Sequence, residues 1–298
     1  MTGTAAPSQG WLLVEHPGPW AVDALAGSGI AADVQDALRS AAGSARARIL
    51  LVRRPGRMPP EVGTPRTWSV RWTDPDRLPA DGTWAEDADL LAAADALVRP
   101  SGQPPGSLAE LEKRTLPVLL VCTHGRHDTC CAVRGRPVAA ALAQAFPGRT
   151  WECSHVGGDR FAANLVVLPD GTYYGAVDDT SVVDLVQNHL AGRVDARHLR
   201  GVVGASPWEQ AAIVEMHARR GPLGPRDVSV DPDRPTVSDG PDAWRVHLLV
   251  LAPGSDGMSP TRLDASVRRA AAEPQLLTCR ATRTSSAPLY EVVLDPPG

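Results

Sequence analysis

The chain has 298 residues, a formal net charge of −4, and 43% hydrophobic against 21% charged residues. That length exceeds one small domain, and the composition excludes a disordered chain. The charge balance gives no global case for binding nucleic acid or an anionic membrane, and no stretch approaches the roughly 20 apolar residues that span a bilayer.

The opening stretch MTGTAAPSQGWLLVEHPGPW has no basic segment and only the short apolar run WLLV, so no secretory signal is expected and a cytoplasmic protein is. Residues 1–9 are small and polar and predict a frayed tail. Residues 11–16 have strand composition, residues 31–42 place Val34 and Leu38 on one face of a helix, and the apolar run 47–55 closes at Pro55-Gly56 as a buried strand. A strand at 67–72 sets Trp68, Val70 and Trp72 on one side, and an Ala/Leu-rich helix follows at 86–98. Residues 101–107, rich in Pro and Gly, predict a linker.

A second unit begins with the continuous apolar run 116–122, which predicts a central strand. After the loop THGRHDTCCAVRGR, Pro137 suits the first position of a helix over 137–146, stopped by Pro147-Gly148. A strand at 149–155, a tight turn at 157–159, a hairpin at 164–177 around Asp170-Gly171 and a helix from about 180 to Gly192 complete the unit. Both units read β-α-β-β-α, the order of a thioredoxin-like domain, so two related folds in tandem are an option, although no sequence repeat supports it. Ser206 and Glu209 have capping-box spacing and predict a helix to about Arg219. Residues 221–242 read as a long loop, 244–252 as a strand, 260–272 as a helix and 289–295 as a strand. The expected organisation is α/β: an N-terminal α/β domain (1–112), a thioredoxin-like domain with a mixed sheet (113–220) and a small α+β extension (221–298).

Four of the five cysteines, Cys122, Cys130, Cys131 and Cys153, fall within 32 consecutive residues. In a reducing compartment such a cluster points to metal or redox chemistry rather than to a disulfide framework. Cys122 ends the central strand, Cys131 precedes a helix, and Cys153 and His155, two apart, are expected on one strand face before the Gly157-Gly158-Asp159 turn. These positions should converge at one pole, as a site formed before its metal arrives requires. Cys130 is expected to point away, Cys279 to be a small buried hydrophobe, His124 and His127 to support the loop or lie exposed, and His247 to pair within a sheet.

The run Cys122-Thr-His-Gly-Arg-His-Asp-Thr-Cys-Cys131, followed by Ser154-His155-Val-Gly-Gly-Asp159-Arg-Phe-Ala-Ala-Asn164, resembles the sucrase/ferredoxin-like family of thioredoxin-like ferredoxins over about 116–200. The resemblance implies a thioredoxin-like ferredoxin domain with a [2Fe–2S] cluster on two cysteines and histidine, one-electron transfer, and a redox partner protein. Cys122 and Cys131 match the cysteine ligands, and His155 matches the first histidine of an H-x3-H element whose second histidine is replaced here by Asp159. Either Asp159 ligates, or Cys153 supplies the fourth bond, or the site is incomplete; the preference of cluster iron for thiolate favours Cys153. Histidine in place of thiolate raises the potential of such a cluster and can couple the electron to a proton. Arg126, Arg134, Arg136 and Arg160 flank these residues and either form a docking patch for an acidic redox partner or are solvated surface charges. Two alternatives stay open: a structural zinc site on Cys122, Cys131, Cys153 and His155, and a thioredoxin-type thiol oxidoreductase, for which the usual C-x-x-C is missing. Nothing in these residues makes a case for glycoside hydrolysis, and no phosphate-binding loop is present.

Overall fold

The computed structural model describes residues 1–56, 65–99, 116–251 and 260–296. The expected linker at 101–107 and the 112/113 boundary lie outside the described residues. The first half runs β1 (Gly10–Glu15), α1 (Ala32–Ser44), β2 (Ala47–Arg53), β3 (Arg66–Trp72), β4 (Ala80–Trp84) and α2 (Leu91–Val98). The second runs β5 (Val118–Cys122), α3 (Thr129–Ala145), β6 (Thr150–Cys153), β7 (Leu165–Leu168), β8 (Thr172–Tyr174) and α4 (Val182–Leu190).

In each half the first strand pairs parallel with the second and antiparallel with the third, and the third pairs antiparallel with the fourth. The thioredoxin-like order expected of the second half is therefore present, and the first half repeats it. The halves join edge to edge through antiparallel β2 and β6, with Val52 opposite Cys153 and Arg53 opposite Glu152. With β9 (Leu199–Val202) at the far edge, one nine-stranded sheet runs β4-β3-β1-β2-β6-β5-β7-β8-β9. Because equivalent strands meet antiparallel, the halves are related by a local two-fold.

Alternation along the strands divides the core. Leu12, Val14, Leu51 and Val70 face α1 and α2, and Leu119, Val121, Leu165 and Val167 face α3 and α4. Their sequence neighbours Leu13, Leu50, Val52, Leu120, Val166 and Leu168 form an apolar layer on the opposite face that is continuous across both halves. Residues 1–9 are not frayed: Ala5 enters that layer, its N–H donates to Gln210 Oε1 (2.9 Å), and Thr4 N–H donates to the Arg200 carbonyl (3.3 Å).

α5 (Pro207–Arg220) begins in the expected capping box: Ser206 N–H donates to Glu209 Oε2 (2.7 Å), and Glu209 N–H to Ser206 Oγ (3.4 Å). It covers an antiparallel sheet of β10 (Val228–Val230), β11 (Val237–Gly240), β12 (Ala243–Val250), β13 (Thr261–Ala271) and β14 (Pro288–Leu294). Two expectations fail here. The long loop at 221–242 contains β10 and β11, and the helix expected at 260–272 is the strand β13. Buried Leu263, Ala265 and Val267 follow a period of two, which outweighs the helix-favouring alanines and arginines around them. Among the described residues no helix is long and apolar enough to cross a membrane.

Candidate metal centre

The parallel strands β5 and β6 end side by side, with Cys122 in register with Cys153. Carboxyl ends of adjacent parallel strands are where α/β proteins assemble sites, because loops diverge there and leave room between them. From Cys122 the loop 123–128 leads into α3, which starts at Thr129 rather than at Pro137 as expected. Asp128 caps it: its carboxylate accepts from Cys130 N–H (3.3 Å), so the helix gains two turns and Cys131 enters the first. Pro137, which cannot donate to the Val133 carbonyl, sits with Val133 on the exposed side. Gly135 lets the helix lie against the strand end, since a Cβ there would collide with the Cys122 carbonyl oxygen.

This architecture gathers Cys122 Sγ, Cys131 Sγ and a ring nitrogen of His155 within 4.8 Å of one another. Cys122 Sγ lies 4.0 Å from His155 Nδ1, and Asp159 Oδ1 lies 3.6 Å from Cys131 Sγ and 3.2 Å from His155 Nδ1. A second overlapping group, with the same 4.8 Å spread, joins His127, His155 and Asp159, and the rings of His127 and His155 stack at 3.8 Å. Groups of this composition can hold a metal ion. Cys122 and Cys131 are fully buried, with their sulfurs within 4.8 Å of each other. The adjacent Cys131 thiol holds Cys122 well below the usual thiol range, helped by His155; Cys122, burial and the Asp159 carboxylate in turn push Cys131 up.

Cys153 does not join these groups. β6 stops at Cys153; Ser154 N–H donates to the Leu51 carbonyl (2.8 Å) and His155 N–H to His124 Nδ1 (3.2 Å), so the expected common strand face for Cys153 and His155 does not form. The Cys153 thiol lies in the apolar layer with Leu50, Val52 and Val156, where burial pushes its ionisation up. Of the two candidates for the fourth position, the geometry brings Asp159 to the group and leaves Cys153 outside it.

Of the supporting residues, the sequence left His124 between loop support and exposure and did not single out Arg48 or Arg200. His124 is 2% exposed: its Nδ1 accepts from His155 N–H while Nε2 reaches the Ala21 carbonyl (2.5 Å), so the neutral ring is a strut that leaves no nitrogen for a metal. Arg48 of β2 donates to the His155 and Val156 carbonyls (3.1 and 3.2 Å). Arg200 of β9 is 1% exposed and donates to the Gly157 carbonyl (3.0 Å), Asn164 Oδ1 (2.8 Å) and the Thr4 carbonyl (2.5 Å). Asn164 Nδ2 closes the turn on the Gly158 carbonyl (2.9 Å). Both glycines have positive φ (89° and 80°), and a side chain at Gly158 would collide with the Arg200 guanidinium. A charged residue inside the short strand LRGV was the available signal for Arg200.

The flanking arginines divide. Arg134 donates to the Ala162 carbonyl (3.2 Å) and Arg160 lies over the Phe161 ring (4.5 Å). Arg126 and Arg136 line a cavity of about 710 Å³ beside the site loop, together with Arg53, Arg54, Arg66 and Trp20. Cys130 points out of the centre, as expected. Cys279 is exposed rather than buried, and its N–H donates to Asp128 Oδ2 (2.8 Å). His247 pairs with Asp264 (2.8 Å) in the C-terminal sheet.

No curated protein and no solved structure matches the chain significantly. A family model described as sucrase/ferredoxin-like matches residues 1–201, which takes in both halves of the nine-stranded sheet and ends in β9. A match over that share of the chain, with the cysteine and histidine positions gathered at one pole, establishes that the chain belongs to the sucrase/ferredoxin-like family.

Proposed function

We propose that the protein is a one-electron carrier whose [2Fe–2S] cluster is held by Cys122, Cys131 and His155, with Asp159 in the fourth position. The observation that carries this reading is the convergence of two buried thiols, an imidazole nitrogen and a carboxylate oxygen from the end of β5, the first turn of α3 and the turn after β6. The donor set suits the group: thiolates match sulfide-bridged iron, and imidazole is an established substitute for thiolate in such centres. When bound, the cluster supplies a reversible one-electron couple.

The chain's own residues do the rest. The neighbours of Cys122 hold its thiol well below the usual range and so favour the thiolate that a metal needs, and apolar burial of both cysteines excludes water. Arg48 and Arg200 fasten the backbone on either side of His155 and the glycine turn. Arg200 also places a buried positive charge beside the site, which favours a reduced, more negative centre. The His155 side chain keeps 20% of its surface exposed and stacks on His127, so electrons enter and leave by this edge. The arginine-lined cavity beside the loop suits an acidic redox partner. Five free cysteines suit a reducing compartment, the cytoplasm.

A second reading has one observation in its favour. The 4.8 Å spread of Cys122, Cys131 and His155 also fits a single tetrahedral zinc ion, with Asp159 as the fourth ligand. Reconstitution under anaerobic conditions with iron and sulfide separates the two. The expected protein holds about two irons and two acid-labile sulfides per chain, with visible absorption that dithionite bleaches. Stoichiometric zinc without sulfide, or a colourless protein, overturns the electron-carrier reading.

A further inference from the structure

We propose that Asp128, Cys130 and Cys279 form a second metal site, for a thiophilic divalent cation of the zinc type, on the outer side of the α3 entrance. This site is independent of the function proposed above. One carboxylate oxygen and two sulfurs from these residues lie within 4.8 Å of one another. Ligands around tetrahedral zinc, at bond lengths of about 2.0–2.3 Å, stand about 3.5–3.8 Å apart, so closing the group on an ion needs side-chain adjustment only.

Three features point to a cation rather than to a chance contact. First, the carboxylate is fixed before any ion arrives: Asp128 is 1% exposed, its Oδ1 accepts from Cys130 N–H (3.3 Å) and its Oδ2 from Cys279 N–H (2.8 Å). Second, Cys130 Sγ stands between two oxygens, Asp128 Oδ1 at 3.2 Å and the Asp159 carbonyl at 3.3 Å. Both oxygens already accept a backbone N–H, from Cys130 and Ala162, and a cation held by the sulfur and the carboxylate would have the carbonyl or a water within reach for its fourth position. Third, the two sulfurs come from segments 149 positions apart in the sequence, and Cys279 is exposed, which leaves the site open to solvent.

The site adjoins the first centre at Asp159, whose carboxylate faces Cys131 and whose carbonyl faces Cys130, but shares no side chain with it. Successive residues in a helix point about 100° apart, so Cys131 turns inward to Cys122 and Asp159 while Cys130 turns outward. Cys279 also lies beyond residues 1–201, the part matched by the family model. Two thiols exclude magnesium and calcium and select zinc-like ions. An ion there would fasten the segment between β13 and β14 to the helix that presents Cys131.

The test uses reduced, metal-free, full-length protein and Zn²⁺, titrated against a chromophoric chelator. Cys279→Ser is expected to bind one equivalent fewer than the wild type, whatever the first centre holds; equal stoichiometry overturns the proposal. Site-resolved alkylation supplies a second readout. Zn²⁺ should slow modification of Cys279 at least about tenfold in the wild type and in Cys131→Ser, but not in Cys130→Ser, which removes one sulfur and leaves the Asp128 bond to Cys279 N–H in place. An unchanged rate at Cys279, or a Cys130–Cys279 disulfide that removes both thiols before zinc is added, overturns the site.

Discussion

One oxygen of Asp159 meets both the Cys131 sulfur and the His155 ring, at 3.6 and 3.2 Å, while the Cys153 thiol, buried in the same apolar layer as Cys122 and Cys131, stays outside the group those two form with His155. Ligand softness alone favoured Cys153, but a site is chosen first by where the backbone ends, and β6 ends two residues before His155, too early for Cys153 and His155 to share a strand face. The two residues therefore make opposite predictions. Cys153→Ala should keep the full metal content after reconstitution and cost only packing stability. Asp159→Ala should weaken metal retention by about tenfold or more, the usual penalty for disturbing a group at a metal centre. Metal analysis after gel filtration checks both, and loss of metal in Cys153→Ala would return that cysteine to the ligand set. Cys279 and Arg200 show the limit of local reading at this scale, since each reaches the site from more than 35 residues beyond the nearest site residue it contacts.

At the scale of elements, much of the fold was legible where periodicity was clean. The strands β1, β2, β3, β5 and β12, the hairpin at Asp170-Gly171 and the capping box of α5 all follow from local pattern. The failures share a cause: a local signal lost to a tertiary one. Pro137 looked like a helix start, but the Asp128 cap lies earlier and packing of Gly135 on β5 holds the extra turns. The short strands β4, β9, β10 and β11 carry polar or glycine residues and are specified by their partners more than by their own composition. α5 carries a consequence for pH. His217 is buried, its Nδ1 has no hydrogen-bond partner, and burial pushes its pKa down to about 4. The unfolded chain takes up a proton below its ordinary value of about 6.5, whereas the folded helix refuses it until about 4. Stability should therefore fall as the pH drops across this window, by about 3 kcal/mol from this group, and be unaffected by it above. Urea midpoints measured from pH 7 to 4 should show a shallower decline in His217→Leu; parallel curves would remove His217 as the cause.

For the whole molecule, the critical seam is the pairing of β2 with β6. Among the described residues two ladder pairs span it, Ser154 N–H extends it to the Leu51 carbonyl, and Arg53 binds Glu152 at 2.7 Å with both side chains largely buried. Glu152 Oε2 also accepts from Thr123 Oγ1 (3.0 Å), so one carboxylate ties the seam to the loop that follows Cys122. Glu152→Ala should cost about 3 kcal/mol, because it strands a buried guanidinium, and the double variant Arg53→Met/Glu152→Met should recover part of the loss. Equilibrium unfolding of the three proteins checks this; a single variant as stable as the wild type would show that the seam is held by other contacts.

The repeated topology has an asymmetric outcome. The position in the first half that corresponds to Cys122 is at the end of β1, where the chain has Glu15, and no cysteine occurs before residue 122. That half nevertheless supports the candidate centre of the other: Ala21, Arg48 and Leu51 hold His124, His155 and Ser154 in place. The half without cysteines thus serves as the housing of the candidate centre, and substitutions in that housing can shift the centre's geometry while each of its own side chains stays untouched.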